Sequence, residues 1–100
     1  MSKSPKYEIE KTLVLSTRHI TLKDSRLLGS YGLGNTIVDE YPYGWWIHVS
    51  DDRVSRVAVR RDGFSRAFRD LIELAHVKRC GRLRLDQDGP VMDGLATFNW

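Results

Sequence analysis

The residues best suited to chemistry fall into separate groups along this 100-residue chain. Near its end, Asp86, Asp88 and Asp93 offer hard oxygen ligands at close spacing. A calcium loop needs several such oxygens and a bidentate Glu at its twelfth position. Thr97 stands where that Glu belongs, and Gly89 comes too early. Asp and Gly are also ordinary turn formers, so Asp86-Gln87-Asp88-Gly89-Pro90 reads as a turn. The run from Gly29 to Gly34 invites a phosphate cradle, which needs a strand before it and a helix N-terminus after it. Here a helical pattern precedes the glycines and strand-like Thr36-Ile37-Val38 follows, the reverse order.

Nucleophilic catalysis finds no better support. Cys80 is the only cysteine, and it closes a helical stretch, the wrong end of a helix dipole for activating a thiolate. His19, His48 and His76 lack the close spacing of zinc ligands, and no second thiolate exists. No nucleophile elbow and no paired-carboxylate pattern stands out. The expectation is a protein that is not an enzyme and holds neither a metal nor a cofactor.

Two signals remain. The net charge of +3 is unevenly spread: the 32 residues from Arg53 to Arg84 carry +7, whereas the rest is neutral to acidic. Arg53, Arg56, Arg60, Arg61, Arg66 and Arg69 lead this stretch, and Arg suits bidentate capture of carboxylate or phosphate. Such a segment favours an anionic partner and argues against an acidic mimic of DNA. The plain alternative is a solvated face whose Arg stems cover the core edge. The second signal is Trp46 with His48. Alternation in Trp45-Trp46-Ile47-His48-Val49 places Trp45, Ile47 and Val49 on one face and Trp46 and His48 on the other. A large aromatic on the open side of a sheet is either covered by another segment or presented to a partner, and Trp, Tyr and Arg are the commonest interface anchors.

The elements that must position these residues follow from periodicity. Thr12 to Ser16 reads as a strand with Leu13 and Leu15 inward. Thr21, with Asp24 three residues on, starts a helix over about 22–28 that buries Leu22, Leu27 and Leu28, and Gly29 ends it as a left-handed residue. Tyr41-Pro42-Tyr43-Gly44 is a turn between a short strand at 36–38 and the strand at 45–49. Residues 50–62 read as an irregular or weakly helical connection. The strongest helix runs from Ser65, its N-cap, to Arg79, with a stripe of Phe64, Phe68, Leu71, Ile72 and Ala75 and a stop at Gly81. Arg82-Leu83-Arg84-Leu85 alternates strictly, leucines in and arginines out, and Leu95 to Trp100 reads as a last strand.

This order predicts one α+β domain over residues 8–100, behind a disordered arm at 1–7. It has a mixed or antiparallel sheet of about four strands with two helices on one face. Its hydrophobic fraction of 41% and charged fraction of 29% suit a folded globule. No apolar run approaches a membrane span, the N-terminus lacks the apolar core of a signal peptide, and a lone cysteine fits a reducing, cytoplasmic setting.

The stretch Leu83-Arg84-Leu85-Asp86-x-Asp88-Gly89-Pro90-x-x-Asp93-Gly94-Leu95-x-Thr97-Phe98-x-Trp100 resembles the ending of a family of small bacterial domains of unknown function. Leu15-Ser16-Thr17-x-His19-Ile20-Thr21 and Tyr43-Gly44-Trp45 fit the same family in the same order. The resemblance implies an origin on plasmids, phages and other mobile elements of proteobacteria. It implies no activity, so no catalytic residue carries over; turn geometry explains the motif's aspartates as well as a functional role does. By analogy of context, it points to an anti-defence, anti-CRISPR-like inhibitor. Three expectations are therefore in play. The first is a binding protein that blocks a host protein or protein–nucleic-acid complex through Trp46, His48 and the arginines from Arg53 to Arg69, with self-association into a homodimer as a variant. The second is a nucleic-acid-binding module using those arginines, and the third a metal-dependent enzyme using Asp86, Asp88 and Asp93.

Overall fold

Two leucine-alternating segments lie side by side in the structure, a computed structural model that describes residues 9–30 and 38–100. They are β1 (Thr12–Ser16) and β4 (Arg82–Asp86), parallel partners with Leu13 opposite Leu83 and Leu15 opposite Leu85. β3 (Gly44–His48) runs antiparallel along the other side of β4, setting Trp45 opposite Leu85 and Ile47 opposite Leu83. β2 (Val38–Tyr41) pairs with β3 as a hairpin, completing a mixed four-stranded sheet in the order β1-β4-β3-β2. Because side chains alternate along each strand, the leucines, Trp45 and Ile47 share one face.

Helices cover that face. α1 (Leu22–Leu28) contributes Leu28, and α3 (Arg66–Val77) contributes Phe68, Leu71, Ile72 and Ala75 to a single core. Phe64 joins it, stacked on Phe68 with ring centroids 4.2 Å apart. This is the expected α+β architecture, and the expected apolar stripe of the long helix is buried throughout. The two helices are tied together at their starts. Thr21 and Asp24 form a reciprocal capping box on α1. Asp24, fully buried, also accepts from the Ser65 backbone N–H at 2.8 Å and the Ser65 hydroxyl at 2.5 Å. Ser65 Oγ in turn caps α3 through the Phe68 N–H.

Several local expectations are corrected. Gly29 caps α1 in a right-handed conformation (φ −73°, ψ −7°), so no left-handed stop is used there. Leu22 is 41% exposed because it occupies the first helical position, ahead of the buried stripe. α3 ends at Val77, and the left-handed residue after it is Arg79 (φ 60°), two residues before Gly81. The N–H groups of Arg79 and Cys80 return to the carbonyls of His76 and Ala75, closing a Schellman motif without glycine. Residues 50–62 are ordered as a helix, α2 (Arg53–Ala58), followed by a 3₁₀ turn (Val59–Asp62). Asp52 caps α2, and the Ser55 hydroxyl and the Val54 N–H hold its carboxyl below the usual range. Tyr41 and Asp86 belong to strands, so each turn is shorter than expected. The expected arm at 1–7, and Thr36 and Ile37 of the expected short strand, lie outside the described residues.

The C-terminal stretch is not a strand. The Ser16 N–H bonds the Pro90 carbonyl, the Phe98 N–H bonds the Arg18 carbonyl, and the Trp100 indole N–H bonds the Ile20 carbonyl. Between them His19, buried, bonds the Ala96 carbonyl through Nδ1 and accepts from the Met92 N–H at Nε2. The segment is thus fastened to the turn after β1 by two side chains, His19 and Trp100, and scattered backbone bonds. Gly94 (φ 88°) bends the chain away from the extended form a ladder requires. Among the described residues no helix is long and apolar enough to cross a membrane.

Candidate functional site

The face of the sheet turned away from the helices carries the polar half of each alternating strand. β4 contributes Arg82, Arg84 and Asp86; β3 contributes Gly44, Trp46 and His48; β2 contributes Asp39 and Tyr41. Register sets Trp46 opposite Arg84 and His48 opposite Arg82. The result is a cation–π stack. The Arg84 guanidinium lies 5.3 Å from the Trp46 ring centre and 5.9 Å from that of Tyr41, and the Arg82 guanidinium lies 5.8 Å from Trp46. Tyr41 and Trp46 themselves sit 6.1 Å apart. Each such contact is worth about 0.5–1 kcal/mol at an exposed site, enough to hold the side chains in a defined array.

A carboxylate closes the array at one end. The Tyr41 hydroxyl donates to Asp86 Oδ2 at 2.6 Å, and the Asp88 N–H donates to Asp86 Oδ1 at 2.8 Å. These bonds and the nearby Arg84 hold the Asp86 carboxyl below its usual range. Burial, then the bond to Asp86 and its charge, push the Tyr41 phenol up to about 12. Asp86 therefore shapes the face and its turn. Asp88 and Asp93 are exposed, and among the described residues no group of three or more His, Cys, Asp or Glu is placed to hold a metal.

The six arginines from Arg53 to Arg69 lie in the helical layer, across the sheet from Trp46 and His48. The structure does not bring the two groups into one surface. Arg56 is structural: only 8% of its side chain is exposed, and it bonds Glu73 at 2.9 Å and the carbonyls of Ser50 and Asp51, pinning α2 to α3. Arg66 lies 3.9 Å from Asp70, and Arg69 bonds the Ser65 carbonyl. Arg53, Arg60 and Arg61 are exposed and make no ion pair among the described residues. Arg56, Arg60, Arg66 and Arg69 border a groove of about 430 Å³ that also contains Asp70 and Glu73.

Tyr41, Arg82 and Arg84 escaped the sequence reading as site residues. The strict alternation of Arg82-Leu83-Arg84-Leu85 already pointed both arginines out of the core. Their meeting with Trp46 depends on β3 pairing with β4, which joins residues far apart in the chain and leaves no local trace.

Fold and site together define a small α+β domain with one helix-covered sheet face and one aromatic–arginine face. Residues 12–100 match the C-terminal domain of DUF5983, a family of unknown function, and the chain belongs to that family. No curated protein and no solved structure matches the chain.

Proposed function

We propose that this domain is a non-catalytic binding protein that engages a larger protein through the open face of its sheet. The observation that carries the reading is Trp46 flanked by Arg82 and Arg84 beside Tyr41 on a face that no helix among the described residues covers. These are the residue types that dominate interface energetics. Packed against one another, they lose little rotamer freedom on binding, which lowers the cost of association. His48, exposed at the edge of the stack, completes the surface. The resemblance to small proteins of mobile elements extends the proposal to an anti-CRISPR-like inhibitor of a host defence complex, on analogy of context alone. The test is affinity capture from host lysate with matched variants. Trp46→Ala with Arg84→Ala is expected to lose the partner, whereas Arg60→Glu with Arg61→Glu keeps it. Retention of the partner by the open-face variant sinks the proposal.

A second reading, a nucleic-acid-binding module, is favoured by one observation: Arg53, Arg60 and Arg61 stand exposed on the opposite side and make no ion pair among the described residues. Binding to DNA or RNA there weakens steeply with salt. It is lost in Arg60→Glu with Arg61→Glu and kept in the Trp46 variant, the mirror image of the first result. Absence of binding to either nucleic acid at low salt removes this reading.

A further inference from the structure

A cavity of about 610 Å³ opens around the β2–β3 turn. Four aromatic residues, Tyr41, Tyr43, Trp45 and Trp100, line it together with one carboxylate, Glu40. No Lys, Arg or His is among its described lining residues, although the chain as a whole is basic. Glu40 is exposed and makes no ion pair among the described residues. Tyr43 and Trp100 are 55% and 52% exposed, a large aromatic area left open.

Two of the four rings are held in place by bonds directed elsewhere, whereas the Trp45 indole N–H is buried without a hydrogen-bond partner among the described residues. The Tyr41 hydroxyl is engaged by Asp86, and the Trp100 indole N–H by the Ile20 carbonyl at 2.8 Å. Tyr43 packs edge-on against Tyr41, with centroids 6.3 Å apart and planes at 71°. With these polar ends engaged, Tyr41 and Trp100 offer the cavity π surface. Aromatic faces carry negative potential, and a carboxylate beside them adds to it. An anion finds no cationic side chain among the described lining residues and a carboxylate that repels it. A neutral apolar ligand desolvates Glu40 without compensation. A hard metal ion needs several oxygen ligands and meets one carboxylate. The volume falls in the range of small-molecule sites.

We propose that this cavity binds an organic ammonium head group, quaternary or methylated, carried by a small molecule or by a modified lysine of a peptide. The site shares Tyr41 with the open-face stack, but Glu40 and Trp45 lie on the other face of the sheet, so Glu40→Gln tests it apart from the proposed function. The experiment is titration of the purified domain with choline and with a trimethyllysine peptide, followed by tryptophan fluorescence and indole NMR signals. 3,3-Dimethylbutanol, the neutral counterpart of choline, is the control. The Trp45 and Trp100 indoles are expected to shift while Trp46, on the other face, stays fixed. Glu40→Gln and Tyr43→Ala are each expected to weaken binding by about fivefold to tenfold, the scale of one cation–π or charge contact. Response to choline alone assigns the small-molecule source, and response to the peptide alone assigns the peptide source. Equal binding of the neutral alcohol, indifference to Glu40→Gln in a folded protein, or no response to either cation up to about 10 mM overturns the proposal.

Discussion

The Tyr41 hydroxyl reaches Asp86 across an intervening strand. Tyr41 lies opposite Gly44, and Gly44 lies opposite Asp86, so the three stand in one row across β2, β3 and β4. The 2.6 Å hydrogen bond spans the middle position because glycine places no side chain there. A Cβ at residue 44 would overlap the Leu85 carbonyl, so the same glycine lets the backbones approach. One residue type thereby permits both the close approach of β3 to β4 and the bridge above it.

Tyr41→Phe is expected to lower the melting temperature at neutral pH and to loosen the Arg84–Trp46 stack. The bridge also sets a pH window. Tyr41 titrates near 12 when folded instead of 10, so its contribution is complete below pH 10 and disappears as pH rises towards 12. Asp86 titrates below the ordinary aspartate value of 3.8, so its contribution is present above about that pH and disappears as pH falls through the lower folded value. Thermal melts of wild type and Tyr41→Phe across pH should differ most on the plateau between these limits. A constant difference extending above pH 12 would contradict the linkage.

Asp24 is expected to be the most sensitive polar position in the fold. It serves the Thr21 N–H, the Ser65 N–H and the Ser65 hydroxyl from a fully buried site. Replacing it with Ala leaves those donors without acceptors in the interior, at a cost of about 3 kcal/mol or more. Chemical denaturation measures this. A loss below 1 kcal/mol would show that the two helix starts are independent.

His19 should control the C-terminal segment selectively. Its ring nitrogens join Ala96 and Met92 to the turn after β1, which requires the tautomer protonated on Nδ1. His19→Ala removes both bonds and opens a cavity, an expected loss of about 2–4 kcal/mol. Hydrogen exchange should rise most in residues 91–100, with smaller changes in α3. Uniform exchange along the chain would instead indicate a general core defect.

Arg79→Gly is expected to stabilise the protein. Arg79 adopts φ 60° at the end of α3, and a left-handed residue with a Cβ costs about 1–2 kcal/mol relative to glycine. Part of that gain is offset by the greater freedom of glycine in the unfolded chain, leaving about 0.5–1 kcal/mol. Denaturant titration gives the sign directly.

Periodicity alone determined the strands at Thr12–Ser16 and Arg82 to Leu85, the inward leucines, the buried stripe of α3 and the Thr21–Asp24 cap, because each is written in spacings of two to four residues. The outward placement of Trp46, His48, Arg82 and Arg84 was legible for the same reason. Only the tertiary structure decided which of these share a surface. Strand order brings Arg82 and Arg84 to Trp46, and burial of the α3 stripe carries Arg53 to Arg69 to the far side of the sheet. The ending read as a turn at Asp86 to Pro90 followed by a strand at Leu95 to Trp100, and the non-strand course of that last stretch was not legible, because its partners are His19 and backbone groups distant in the chain. The Tyr41–Asp86 bridge belongs to this second class: its three residues are 45 positions apart at the ends, and only pairing on both sides of β3 aligns them.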